Sequence, residues 1–70
     1  MKKCLVITKW SFNGEYIHRV LGEKFMSYEL RVVELEDRML GYYHCSKTAA
    51  RKELVGLKHH DLISIEDYKA

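Results

Sequence analysis

The residues with the widest chemical range in this chain are its two cysteines and four histidines. His44 and Cys45 are adjacent, as are His59 and His60, and zinc prefers cysteine and histidine ligands in tetrahedral sets. Adjacent residues of a strand point to opposite faces, so neither pair suits one ion. Because spaced ligand pairs are missing, we expect no metal and no other cofactor. Cys4 and Cys45 are then small core residues with free thiols, and one disulfide between them is the alternative.

Catalysis is not indicated either. A nucleophilic Cys45 would need a base and an electropositive pocket, and His44 is its neighbour in sequence, which is the wrong place for a hydrogen-bonded base. A chain of 70 residues leaves little room for a substrate cleft of about 300 Å³ or more. The spacing of the four glycines matches neither a P-loop nor a dinucleotide-binding fingerprint; they are Gly14, Gly22, Gly41 and Gly56. We therefore expect a protein that is not an enzyme.

A basic segment, residues 46–60, follows an acidic one, residues 29–37. Lysine and arginine pair with phosphates, and aromatic rings stack on bases, so a basic segment beside tyrosines is one way to bind nucleic acid. The net charge of +2 is too small to indicate such binding by itself. Nucleic-acid binding is therefore the alternative function, and its candidate residues are Lys47, Arg51, Lys52 and Lys58, with Tyr42 or Tyr43 for stacking.

These side chains have to be positioned by a small number of elements. Alternation of apolar and polar residues over 28–45, broken at 36–38, predicts two antiparallel strands at 28–35 and 39–45. β-Formers predict further strands at 3–10 and 62–66. Ser46 is a good N-cap, and the alanine-rich segment after it predicts a short helix over 47–57.

The segment 15–29 supports two interpretations. Asn13 and Gly14 form the strongest two-residue hairpin signal, after which residues 15–21 alternate acceptably as a strand. Apolar residues at helical spacing favour a helix capped by Ser11 or Asn13, but Gly22 would cost about 1 kcal/mol in its middle. We expect the strand.

Together these elements predict a single β-rich α+β domain, residues 1–70, with an antiparallel sheet of four to five strands and one short helix. Residues 53–66, ELVGLKHHDLISIE, also resemble the end of small SH3-like barrels, and this resemblance implies a strand at 53–57 and a barrel as the alternative fold. The core candidates are Leu5, Ile7, Ile17, Val20, Phe25, Leu30, Val32, Leu54, Leu57 and Ile63.

The length of the chain also limits its location and its way of acting. The apolar run at 4–7 is shorter than the roughly 7–15 residues of a signal-peptide core, and no segment approaches the roughly 20 residues of a membrane helix. We therefore expect a cytoplasmic protein with no membrane partner. A domain of this size buries only about 60% of its unfolded surface, so a partner chain would stabilise it.

Protein binding is accordingly the predicted function. Tyrosine and tryptophan are enriched at binding hot spots, and the candidate residues are Trp10, Tyr42 and Tyr43. The acidic and basic segments would steer a cellular protein of opposite pattern, or a second copy in a homodimer. We expect a small regulator or inhibitor, a kind of chain that is typical of phages and other mobile elements.

Overall fold

Among the described residues, four strands and two helices follow one another in the order βαββαβ. The computed structural model describes residues 2–25 and 31–68. The four strands form one sheet in the order β2-β3-β1-β4, and every neighbouring pair is antiparallel. The elements are β1 (Cys4–Lys9), α1 (Phe12–Lys24), β2 (Arg31–Leu35), β3 (Arg38–Tyr43), α2 (Lys47–Leu54) and β4 (Leu62–Asp67).

This element order is that of the ferredoxin-like, or split βαβ, motif. It confirms the predicted α+β class with a small antiparallel sheet. The SH3-like alternative is wrong, because the sheet is open and residues 53–57 end a helix and continue as a turn. Proteins of many unrelated functions share such a fold, so the function has to be argued from surfaces and sites.

The predicted strand at 15–21 is wrong, because these residues belong to α1. Ser11 caps the helix from an extended conformation, and its Oγ accepts a hydrogen bond of 3.3 Å from the Gly14 backbone N–H. Ile17 and Leu21, one turn apart, are both buried. Tertiary burial of this stripe outweighs the local turn signal and the helix penalty of a glycine.

Gly14 serves close packing rather than a turn. A Cβ atom at this position would overlap the backbone carbonyl of Lys9 and lie 2.9 Å from the hydroxyl oxygen of Thr8. The first turn of α1 can therefore approach the end of β1 only if residue 14 has no side chain.

The second helix, α2, was predicted correctly as a helix that begins at residue 47. Ser46 is the N-cap, and its Oγ accepts a hydrogen bond of 3.1 Å from the Ala49 backbone N–H. The helix ends at Leu54 rather than at 57, because Val55 is extended and Gly56 has a φ of 87°. A residue with positive φ close after the last turn is the usual way to end a helix.

The core lies between one face of the sheet and both helices. Its buried members include Val6 from β1, Ile17 and Leu21 from α1, and Ala50 and Leu54 from α2. The predicted core positions of Ile17 and Leu54 are thus confirmed. Phe25 and Leu57 pack against this cluster, whereas half-buried positions are occupied by Leu5, Ile7, Val20 and Val32.

Ile63 was predicted in the core, and this is wrong, because its side chain is 40% exposed. The pairing of β1 with β4 shifts register between Ile7 and Thr8, which pair with Ser64 and Leu62. Ile63 is therefore the extra residue of a bulge and does not follow the alternation. Leu30 lies outside the described residues.

The helices are short relative to a lipid bilayer. Within residues 2–25 and 31–68, neither is long and apolar enough to cross a membrane.

Candidate functional site

The sheet carries apolar side chains on the face that the helices do not cover. In β1, Cys4, Val6 and Thr8 are fully buried on the helix side. Successive strand residues point to opposite faces, so Leu5 and Ile7 lie on the other side of the sheet. Both of these side chains are half-buried.

Strand register brings more apolar residues to the same side. Tyr42 pairs with Leu5, Leu40 pairs with Ile7, and Val33 pairs with Leu40, and paired residues share a face. We call this set, Leu5, Ile7, Val33, Leu40 and Tyr42, the open face. Both helices pack against the opposite side of the sheet, so no helix among the described residues covers it.

An antiparallel sheet with one solvated face normally shows polar side chains there. On the open face the two central strands are instead apolar at Leu5, Ile7, Leu40 and Tyr42, and the exposed pair Lys9 and Arg38 ends this stretch. Val33 of the outer strand β2 is exposed. The sequence signal for this was present, because the middle of β1 is apolar at successive positions. Such a pattern is typical of a central strand, and β1 is central in the sheet, but only its helix-side residues are fully buried.

Tyr42 stands at one end of the open face, where a second aromatic ring joins it. The rings of Tyr42 and Tyr68 meet edge to face with centroids 5.0 Å apart. The ammonium group of Lys3 lies over the Tyr68 ring, 5.1 Å from its centroid. The predicted binding residue Tyr42 is thus placed on a surface with aromatic and cationic neighbours.

Trp10 lies at the other end of β1. Its backbone N–H donates a hydrogen bond of 2.7 Å to the Asp37 carbonyl oxygen, and its side chain is 47% exposed. Phe12 at the start of α1 is 76% exposed, and Tyr16 one turn later is also exposed. Trp10 is separated by about 16 Å of extended chain from Leu5, the residue that pairs with Tyr42 in the sheet. The structure therefore does not bring Trp10 and Tyr42 together.

Tyr43 has no exposed surface, so burial removes it from the candidate binding residues. Its hydroxyl group is 2.6 Å from Nδ1 of His18, and Nε2 of His18 is 3.1 Å from Oγ1 of Thr8. Burial lowers the pKa of His18 to about 4, while a hydrogen bond with the Met39 backbone opposes the shift. A neutral imidazole thus joins α1 to β1 and β3 inside the core.

The two cysteines face each other in the core. Their Sγ atoms are 3.3 Å apart and both thiols are free, as predicted. Burial, helped by the hydrogen bond with Cys45, raises the pKa of Cys4 to about 12, and burial also raises the pKa of Cys45. The thiolate is the reactive form, so neither sulfur is activated as a nucleophile.

The predicted nucleic-acid residues do not form one surface with Tyr42. Arg51 and Lys52 are exposed on α2, which packs on the helix side of the sheet, whereas Tyr42 lies on the open face. Lys58 is exposed in the loop after α2. Lys47 begins the same helix, one turn before Arg51, and forms an ion pair of 3.7 Å with Asp67.

Lys47 instead lines a cavity of about 590 Å³ that sequence reasoning missed. Lys2, Lys3 and Tyr68 line it too. The signal was hard to find, because these residues come from both ends of the chain and only strand pairing brings them beside residue 47.

The remaining histidines do not gather into a site. His44 and His60 are exposed, and His59 is half-buried. No three His, Cys, Asp or Glu side chains within the described ranges are placed to hold a metal ion.

Known proteins give no guide to these surfaces. No family model, curated protein or solved structure matches the chain significantly.

Proposed function

We propose that this protein is a non-enzymatic interaction module that binds a cellular protein through the open face. The observation that carries the proposal is the register that sets Leu5 beside Tyr42 and Ile7 beside Leu40 on the side of the sheet opposite both described helices. Contiguous exposed apolar surface marks interaction sites in soluble proteins.

Half-burial of these side chains leaves free energy to be gained when a partner covers them. Leu5, Ile7 and Leu40 still expose part of their apolar surface. Covering the rest would contribute about 1 kcal/mol per side chain, since full burial of such a residue is worth about 1.5–3 kcal/mol. Tyr42 adds an amphipathic ring of the kind that dominates binding hot spots. Because the strands are already paired, little ordering is needed on this side of the complex.

A regulator or inhibitor role belongs to the same proposal. A module of one small domain that covers a partner's surface acts by occupying that surface. The open face lies on a rigid sheet rather than on a loop, which suits a binder that has to keep one shape. Nucleic-acid binding through Arg51 and Lys52 is the weaker proposal, because these cations and Tyr42 lie on opposite sides of the sheet.

The test compares two charged substitutions. Leu40→Glu places a carboxylate on the open face, and Val55→Glu makes the same kind of change at a residue that is 77% exposed after α2. A specific partner should be retained by the wild type and by Val55→Glu but lost by Leu40→Glu. Circular dichroism should show that both variants keep their secondary structure, and calorimetry with the purified partner should give the same ranking.

Two results would contradict the proposal. A partner that Leu40→Glu still binds with wild-type affinity would lie on another surface. A dimer in light scattering that Leu40→Glu converts to monomers would mean that a second copy, not a cellular protein, covers the open face.

A further inference from the structure

The cavity beside Lys47 is a second surface with its own chemistry. It lies where the chain before β1, the start of α2 and the end of β4 meet. We call it the basic cavity, and the side chains that matter for its charge and walls are Lys2, Lys3, His44, Lys47, Asp67 and Tyr68.

Positive charge is concentrated in the basic cavity. Lys2, Lys3 and Lys47 supply three ammonium groups, and Asp67 is the single carboxylate among the described residues that line it. The structure describes eleven basic and nine acidic residues, so those that do not line the cavity balance at eight of each. Among the described residues, the formal excess of positive charge is therefore located at this concave surface.

The geometry brings these charges together from distant parts of the sequence. Lys3 is fixed by the pairing of β1 with β4, because the Tyr68 backbone N–H donates a hydrogen bond of 2.9 Å to the Lys3 carbonyl oxygen. Lys47 is fixed at the start of α2 and is 3.7 Å from the carboxylate of Asp67. That pair is exposed on both sides, so an incoming anion can compete for the lysine at small cost.

We propose that the basic cavity binds a small phosphate-bearing molecule. Ammonium groups make charge-assisted hydrogen bonds to phosphate oxygens, and a concave surface of one sign raises the local concentration of the opposite ion. A volume of about 590 Å³ is within the usual range for small-molecule sites. The ring of Tyr68 forms an aromatic wall beside the lysines. The phosphate can belong to a simple inorganic polyphosphate or to a nucleotide whose base contacts this wall.

The experiment titrates pyrophosphate and ADP into the full chain and measures affinity by calorimetry and contact sites by amide NMR shifts. The cavity variant is Lys2→Gln with Lys3→Gln and Lys47→Gln. The matched control is Lys9→Gln with Arg19→Gln and Lys24→Gln, which removes the same charge from exposed residues outside the cavity. We expect the cavity variant to bind at least about tenfold more weakly and the control to change by less than about twofold.

The two ligands separate the two sources of phosphate. Equal affinities would identify the phosphate group itself as what is recognised. Tighter binding of ADP, lost in Tyr68→Leu while pyrophosphate binding is kept, would identify a nucleotide. Lys2→Gln alone, at an exposed residue, provides the same comparison should the triple variant fold poorly.

The proposal is overturned if neither ligand saturates by about 10 mM, a concentration at which even weak sites of millimolar affinity fill. Equal weakening in the cavity variant and the control would also overturn it, because the binding would then follow net charge alone. The lysine variants change none of the five open-face residues, so these outcomes leave the protein-binding proposal unaffected. Tyr68→Leu removes a ring in contact with Tyr42 and is used only to compare the two phosphate ligands.

Discussion

Nδ1 of His18 and the hydroxyl oxygen of Tyr43 are 2.6 Å apart, and both side chains are buried. Their rings are nearly parallel, at 7°, with centroids 6.0 Å apart. His18 belongs to α1 and Tyr43 to β3, so this hydrogen bond fixes the helix on the sheet. Buried polar groups stabilise a fold only while every member keeps its partner, which makes the pair sensitive to pH and to packing changes.

Acid should therefore destabilise the protein through His18. The pKa of His18 is lowered from 6.5 to about 4 in the folded state, so below pH 6.5 the unfolded chain binds the proton more readily. The stabilisation is complete above pH 6.5 and is lost as the pH falls towards 4, by about 1 kcal/mol at pH 5.5 and about 3 kcal/mol in total. Urea unfolding between pH 4 and pH 7.5 measures this loss.

The controls for this pH effect are two histidine variants. His60 is exposed, so His60→Gln should leave the pH dependence unchanged. His18→Gln should lower stability at pH 7.5 and flatten the dependence between pH 4 and 6.5. If His18→Gln kept the wild-type dependence of unfolding free energy on pH, the acid sensitivity would come from carboxylates and not from His18.

Gly41→Ala should disrupt the same pair from the side of the sheet. A Cβ atom at position 41 would overlap the imidazole of His18 and lie 2.9 Å from the ring of Tyr43. Both rings are buried and cannot move away freely, so we expect a loss of about 2–3 kcal/mol of unfolding free energy. Denaturant titration measures it.

Gly56→Ala is the comparison for that substitution. Gly56 has a φ of 87° and open space where a Cβ atom would lie, so alanine there suffers only backbone strain of about 1 kcal/mol. Equal losses in the two variants would mean that the contact between Gly41 and His18 is not tight.

Much of the sheet was predictable because its signals are local. Alternation predicted β2 and β3, the content of β-formers predicted β1 and β4, and a serine cap predicted the start of α2. The helix α1 was missed, because the turn signal of Asn13 and Gly14 is local, whereas burial of Ile17 against the sheet is not. Gly14 is required by the approach of Lys9 and Thr8, which a sequence pattern does not reveal.

The sites were less predictable for the same reason. Alternation requires Tyr42 and Tyr43 to point opposite ways, but which of them is buried depends on the side where the helices pack. The basic cavity joins Lys2 to Lys47 and Tyr68 across most of the chain length. Strand pairing brings these residues together, and no spacing pattern in the sequence indicates that they are close.

The thiols should resist alkylation while the protein is folded. Burial raises the pKa of Cys4 from 9.0 to about 12, which lowers its thiolate fraction at pH 8 by about three orders of magnitude. Iodoacetamide labelling followed by mass spectrometry should therefore be slow in buffer and fast in about 6 M urea, where the domain is unfolded. Rapid labelling of Cys4 in the native protein at pH 8 would show that the thiol is accessible, contrary to its burial.

Substitutions at Val6 and Ile7 should distinguish effects on stability from effects on binding, because these neighbours in β1 point to opposite faces of the sheet. Val6 is fully buried against the helices, whereas Ile7 is half-buried on the open face. Val6→Thr puts a hydroxyl group into the core and should lower the unfolding free energy by about 2 kcal/mol. Ile7→Thr should lower it by less than about 1 kcal/mol, because threonine suits a strand and the site is partly solvated.

Binding should show the reverse order in this pair. Ile7→Thr removes apolar surface from the open face. It should lower the affinity for the partner by about tenfold or less, since one partly exposed side chain contributes about 1 kcal/mol. Val6→Thr leaves that surface unchanged, so the fraction of protein that stays folded should bind normally. If Ile7→Thr instead destabilised the domain as much as Val6→Thr and left binding intact, the face of Ile7 would be core, and the proposed binding surface would have to be abandoned.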